Sequence, residues 1–329
     1  MTISIIIPVY NVSAYIQRCL DSVVNQGFNN IECILVDDCG NDNSVGIALN
    51  YINCHTNSDI SFKMLHHKKN RGLSAARNTG VEIANGDYIL FLDSDDELAP
   101  NALNNMYNLI LKYGNVDVIQ GIFSRNDNTI AKHMLFKEYY IGNEAKDAYL
   151  NNDMCLTAWN KLIKNKIAKQ IKFIEGIINE DNPWSFQVFK HMNSMCVCKK
   201  ITYIYYITPN SIMSSPSYQA KSLNCFKIIY DNIIHEMESM KMDRANPLQK
   251  ILNRYVFGFM LMPGANNSTF EQTKNRLIKL YKENRRFLNT RDYIISRSLY
   301  LPYPYCAKYA KALRQCLNRM CKLHIIDYG

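Results

Sequence analysis

Residues 3–9 (ISIIIPV) form an unbroken, mostly β-branched apolar run of strand length. The run lacks the polar alternation of a half-solvated strand, so it predicts a strand covered on both faces. Similar signals follow at Ile31–Val36, Ser61–Leu65, Tyr88–Leu92 and Val116–Ile119. Helical spacing fills the gaps. Tyr15, Ile16, Cys19, Leu20, Val23 and Val24 share one face of a helix expected to run to about Gln26, with Asn11 or Ser13 as its cap. Further helices are predicted over Ser44–His55, over Leu73–Ala84 with Asn85-Gly86 closing it, and from about Pro100. Buried strands alternating with helices define an α/β chain with a mainly parallel sheet.

The pattern loosens after residue 120. Residues 129–141 read as a hairpin, 143–150 and 182–192 as helices, and Met195–Thr208 as β. From Tyr218 onward the signals are helical, punctuated at Pro247, Pro263-Gly264, Pro302 and Pro304. Charge marks the same division. Residues 241–329 carry 17 Lys and Arg against 5 Asp and Glu, whereas residues 1–240 carry 21 against 24. The expected organisation is an α/β domain over 1–215 and a basic helical region over 216–329.

In parallel α/β sheets ligands bind beyond the carboxyl ends of the strands. Three predicted strand ends carry polar groups: Tyr10-Asn11, Asp37-Asp38 and Asp93–Asp96. Asp93, Asp95 and Asp96 put three carboxylates in four residues, which repel one another unless a cation neutralises them. Oxygen ligands of this kind suit Mg2+ or Mn2+. The other reading of this cluster is an acidic turn that caps the helix near Pro100.

Composition narrows the classes. The 11 cysteines form no CxxC pair and read as reduced thiols of a cytoplasmic protein. The first residues lack the basic start of a signal peptide. No apolar run approaches the ~18 residues of a membrane-spanning helix; Tyr255–Met262 is too short. The C-terminal charge shows no nucleic-acid module, so no nucleic-acid partner is expected. Its interleaving of Arg and Lys with aromatic residues over 285–322 suggests docking on an anionic membrane surface, with a packed helical lid as the other reading.

Several stretches resemble the family 2 glycosyltransferases of the GT-A fold: SIIIPVYN (4–11), LDSVVNQ (20–26), ILVDD (34–38), NRGLSAARNTG (70–80) and NGDYILFLDSDD (85–96). Each is weak alone, but together they follow the family's order and spacing. Sparser similarity continues through WNKL (159–162), Glu180-Asp181 and 203–212. The resemblance implies an inverting sugar transfer from a nucleotide-diphosphate sugar, with UDP expected, to a glycan or lipid-linked glycan. Polysaccharide assembly at the cytoplasmic face of the membrane would be the setting.

The resemblance also implies roles for matching positions. Pro8, Val9 and Tyr10 would lie along the nucleotide. Asp38, with Asp37 as the alternative, would accept a hydrogen bond from the base. Asp93 and Asp95 would be the acidic pair of the D-x-D motif. Asp95 would ligate Mn2+ or Mg2+, Asp93 would touch the ribose or the metal's water, and Asp96 would help. Gly72 would let the backbone approach the donor. Arg77 would either neutralise Asp37, Asp38 or Asp93, or contact substrate. Asn160 and Lys161 would stand near the donor sugar, with Trp159 offering a sugar face or packing in the core. Asp181 would be the catalytic base, with Glu180 orienting it or holding the acceptor. Asp181 would also cap its helix, and Pro183 would fit the first turn.

Two departures stand out. Gly40 occupies a position where the family often has Ser, and Tyr206 or Ile207 one where it often has Arg. His191 is a candidate extra metal ligand. A pyrophosphorylase-like reading needs a Gly-rich basic loop after the first strand, which residues 10–15 lack. A non-catalytic nucleotide-sugar-binding scaffold would have lost the acidic residues, and they are present.

Overall fold

The structure is a computed structural model. It describes residues 1–55, 59–127, 137–150 and 154–208, and in the C-terminal region 225, 228–229, 231–236, 268–283, 297, 299–301, 305, 308–309 and 312. The chain divides into two compact units, one of Met1–Tyr149 with Asp153–Ser215, the other of Leu150–Asn152 with Pro216–Gly329.

In the first unit, β1 (Ile3–Val9), β2 (Ile31–Asp37), β3 (Ile60–His66) and β4 (Tyr88–Phe91) are parallel, in the order β3-β2-β1-β4. Every residue of β1 and β4 is buried, as their apolar runs require. The other described strands are β5 (Glu97–Leu98), β6 (Val118–Arg125), β7 (Tyr139–Ile141), β8 (Lys161–Lys164) and β9 (Ser194–Tyr205). β8 joins β4 and β6 antiparallel, β9 runs parallel to β6, and β5 and β7 lie antiparallel on β9. The helices of this unit are α1 (Ile16–Val24), α2 (Ser44–Cys54), α3 (Leu73–Ile83), α4 (Ala102–Tyr113), α5 (Asn143–Leu150), α6 (Asn165–Ala168) and α7 (Asp181–His191). The result is a mixed α/β fold around a mostly parallel central sheet.

Some boundaries differ from expectation. Helix α1 starts at Ile16 without a side-chain cap. Asn11 instead adopts a left-handed φ of 53° and its Oδ1 accepts from Asn41 N, while Ser13 N donates to Asp42. Both are spent on the loop after β2. Asp181 opens α7 rather than capping it; the cap position is Glu180, with no side-chain cap bond. Strand β8 was not anticipated. Its sequence KLIK begins and ends in lysine, which reads as solvent-facing, yet all four residues are buried. Of the expected 129–141 hairpin, residues 129–136 lie outside the described residues, and β7 is what is seen of the rest.

In the second unit, α8 (Ser268–Glu283) buries Leu277, Leu280 and Tyr281, and Arg276 pairs with Asp231 at 3.4 Å. Most of 285–322, including Pro302 and Pro304, lies outside the described residues, as do Pro247 and Pro263-Gly264. Among the described residues no helix is long and apolar enough to cross a membrane.

Candidate functional site

The ends of β1 and β2 meet in register, Val9 opposite Asp37, and Asp38 N donates to Val9 O. Pro8 and Val9 are buried, while Tyr10 just beyond them is 45% exposed. Gly40 packs on this turn: a β-carbon there would stand 2.9 Å from Asn11 N, so the family's usual Ser would collide.

Asp38 is buried and well occupied. Its Oδ1 accepts from Arg71 N (2.8 Å) and His67 Nδ1 (2.6 Å), and its Oδ2 from Gly72 N (2.7 Å). His67 Nε2 continues to Thr79 Oγ1 at 2.9 Å. The carboxylate thereby ties the start of α3 to the end of β2. Gly72 sits at φ 88°, a left-handed conformation that suits glycine, with open space where a β-carbon would be. Asp37 is held more lightly, by Cys39 N at 2.9 Å and His66 Nδ1 at 3.0 Å.

The three carboxylates after β4 have three different environments. Asp96 is buried and turns inward, accepting from Tyr203 OH and Tyr206 N, each at 2.7 Å. Burial first, then the charges of Asp93 and Asp95, push its carboxyl up to about 8, against those two hydrogen bonds. Asp95 accepts from Thr208 Oγ1 at 3.2 Å, and burial followed by the Asp93 charge raises it as well. Arg18 anchors the turn from α1: it donates to Asp95 O at 2.6 Å, pairs with Glu97 at 2.8 Å and lies 3.6 Å over the Tyr206 ring. Asp93 points toward Arg77.

Arg77 is the hub. It is 1% exposed, and its guanidinium reaches Asp93 at 2.9 Å, Glu180 at 2.8 Å and Asp181 at 3.1 Å. Of the expected partners only Asp93 is met; Asp37 and Asp38 are not. Three carboxylates around one cation leave a negative surplus. The Asp181 carboxyl lies well above the ordinary range: burial raises it, Arg77 lowers it, and Glu180 and Asp93 raise it again. Asn78, next on α3, clasps the chain leading to α7, donating to Phe173 O (3.0 Å) and accepting from Phe173 N (2.9 Å). Arg71 reaches Glu175 in the same approach at 3.1 Å. One helix therefore fixes both acidic groups.

Asn160 and Lys161 do not line an open surface. Asn160 is 2% exposed, at φ 64°, with Nδ2 on Gly121 O at 2.8 Å and Oδ1 accepting from Thr202. Lys161 is fully buried and donates to Thr157 O at 2.5 Å. Both side chains are held from within the fold, by Gly121, Thr202 and Thr157. Trp159 likewise packs inward, stacked on Tyr203 and Tyr205 and edge-on to Phe123. His191 bonds back to Gln187 O in its own helix.

Sequence reasoning assigned no role to His67, Arg18, Tyr203 or Thr208. For His67 a signal existed, since His66-His67 closes β3 and His66 pairs with Asp37 in register. For the others it did not, because each acts on residues distant in sequence.

Carboxylates gather at the carboxyl edge of a parallel sheet, on either side of one buried guanidinium. The fold is that of a GT-A glycosyltransferase. More narrowly, the chain belongs to glycosyl transferase family 2, whose profile matches residues 4–172. It is 30% identical over 223 residues to the glycosyltransferase GlyA of Streptococcus pneumoniae, covering 64% of this chain and 31% of GlyA, so it spans about a third of that relative. It is 34% identical over 222 residues to the poly(ribitol-phosphate) beta-N-acetylglucosaminyltransferase TarP of Staphylococcus aureus, covering 65% of this chain and 64% of TarP. The structure of S. aureus TarS 1-349 superposes with a TM-score of 0.72 at 19% identity, over 97% of this chain and 92% of that one. That structure is also known in complex with UDP-GlcNAc.

Proposed function

We propose that the protein transfers a sugar, with inversion, from a UDP-sugar to a hydroxyl of a glycan or lipid-linked glycan in cell-surface polysaccharide assembly. One observation carries this reading. Arg77 holds the Asp93 of the D-x-D turn and the Glu180-Asp181 pair on a single guanidinium, although 88 residues separate Asp93 from Asp181. On this reading a donor end and an acceptor end would stand face to face. The UDP-GlcNAc complex of TarS and the name of TarP support the donor class and the polymer setting.

Tyr10, with Pro8 and Val9 behind it, would flank the nucleotide, and Gly72 would let the backbone come close. Asp38 would accept a hydrogen bond from the base, and Asp37 is the second choice. Asp181 would take the proton from the acceptor hydroxyl. Burial has moved it toward neutral pH, where a general base works well. Glu180, fixed by Arg77, would orient the acceptor.

Asp95 and Asp93 would hold Mn2+ or Mg2+. Among the described residues no three His, Cys, Asp or Glu side chains gather into a metal cage. Two carboxylates fit a hard cation that completes its shell with water and substrate phosphate. The raised Asp95 carboxyl fits too, since a cation would offset its repulsion from Asp93. Such a cation would supply charge neutralisation for the departing diphosphate.

The test is a hydrolysis and transfer screen over UDP-, GDP- and dTDP-sugars with Mn2+ or Mg2+. UDP-sugar turnover that EDTA abolishes is expected, with Asp95→Asn slower by about 10²–10⁴-fold. Full activity in EDTA would sink the metal role. UDP-sugar binding without any turnover would favour the non-catalytic scaffold.

A further inference from the structure

His67 has no place in the chemistry described so far, yet it touches the carboxylate read as the nucleobase acceptor. Its side chain is 5% exposed and that of Asp38 4%, so the contact is sealed from water. A carboxylate has no hydrogen to give, so the His67 Nδ1 that lies 2.6 Å from Asp38 Oδ1 carries one. In a neutral imidazole the other nitrogen is then an acceptor. A hydroxyl stands 2.9 Å from it, Thr79 Oγ1. Thr79 therefore donates to His67, and His67 to Asp38. The opposite tautomer would set two lone pairs against each other at the Asp38 contact.

The main chain holds the ring in place. His67 N donates to Asp37 O at 2.9 Å, and His67 O accepts from Cys39 Sγ at 2.7 Å. Asp38 is tied to α3 at two points. Arg71 N and Gly72 N, at the entry to the helix, donate to its two oxygens. Through His67 it reaches Thr79, about two turns further along. Bonds to both oxygens restrain rotation of the carboxylate. His66, the neighbouring residue, pairs with Asp37 while its own side chain is 53% exposed. Of the two histidines, His67 is the enclosed one.

We propose that His67 is a positioning residue for nucleobase recognition: held with its hydrogen on Nδ1 by Thr79, it turns the Asp38 carboxylate to meet an imide N–H of the donor's base. The inference rests on the reading of Asp38 as the nucleobase acceptor and assigns what keeps that acceptor in place. Uracil presents an N–H at N3 where cytosine presents a lone pair, which a carboxylate repels. A fixed Asp38 therefore favours the first base over the second.

The experiment measures UDP and CDP affinity of the intact chain in the presence of Mn2+, together with proton–nitrogen NMR spectra of the histidine rings. His67→Gln offers its amide nearer the place of Nε2 and removes the donor at Nδ1. His67→Asn places its amide nitrogen one bond from Cγ, as Nδ1 is, and restores that donor; loss of the ring signals in this variant assigns them. Thr79→Val leaves the ring in place, removes the hydroxyl that selects its tautomer and guards against misfolding of the ring variants. The expected result is a wild-type His67 with its hydrogen on Nδ1. UDP affinity should fall about tenfold in His67→Gln, by less in Thr79→Val, and recover in His67→Asn, while CDP affinity stays unchanged throughout. A wild-type ring protonated at Nε2 alone would overturn the inference, as would UDP affinity unmoved in both His67→Gln and Thr79→Val. Equal loss of UDP and CDP would overturn it too, by making His67 a structural prop. Failure of the underlying reading looks different: Asp38→Asn would bind UDP as the wild type does, and the inference would fall with it.

Discussion

Burial raises the Asp181 carboxyl, Arg77 draws it back, and Glu180 and Asp93 raise it again. Ionisation is therefore harder in the folded protein than in the unfolded chain. The folded value lies above the unfolded one, so the protonated form favours folding at low pH, and this contribution is lost as pH climbs through the folded value. Asp181→Asn removes the cost of ionisation. It should melt higher than the wild type, with the gain larger at pH 8 than at pH 5, while UDP binding survives and transfer falls by about 10²–10⁴-fold. Equal melting temperatures at both pH values would contradict this electrostatic account. In the wild type, activity should decline on the acid side at a higher pH than an ordinary carboxylate would give. The chemical identities at this scale were legible, since Asp37, Asp38, Asp93, Asp95 and Glu180-Asp181 all stand out in the sequence. Their partners were not. Nothing near Arg77 in the sequence indicates that it binds carboxylates 103 and 104 residues later.

At the scale of elements, β1 to β4 could be read because each is a continuous apolar run between turn signals. β8 could not, because burying Lys161 and Lys164 needs acceptors supplied from elsewhere: Thr157 O for the first, Asp117 and Asn115 O for the second. The meeting of β6, β8 and β9 is also tight. One register shift in the β6–β9 pairing falls across Gly121, and a β-carbon at Gly121 would overlap Thr202 Oγ1 and come within 2.8 Å of Asn160 Oδ1. Gly121→Ala should cost about 1–3 kcal/mol in denaturant melts, as overpacking does. Thr202→Ala in the same chain should recover part of that loss, so that the two changes are not additive. Strict additivity would show that the overlap is relieved by movement elsewhere.

Across the whole molecule, the charge asymmetry remains the main guide to the C-terminal region. Residues 241–329 carry 17 basic and 5 acidic side chains. Each basic residue near an anionic bilayer contributes up to about 1 kcal/mol, so several acting together give reversible docking. The intact protein should float with anionic vesicles, less so as salt is raised, and truncation at about residue 285 should abolish flotation. No vesicle binding by the intact chain, with aggregation of the truncated one, would favour a packed lid. The first unit was largely visible in the sequence because strand ends and acidic turns have local signatures, whereas a charge count says nothing about which face carries it.

The acidic turn after β4 rests on Tyr203 and Tyr206, more than a hundred residues further along. During synthesis the four parallel strands emerge within the first 91 residues and can pair at once. The turn they present then has carboxylates but no floor. Asp96 can settle only after β9 has left the ribosome and threaded between β6 and β5. A nascent chain that stalls before Ser194 would hold the four parallel strands with nothing beneath the acidic turn.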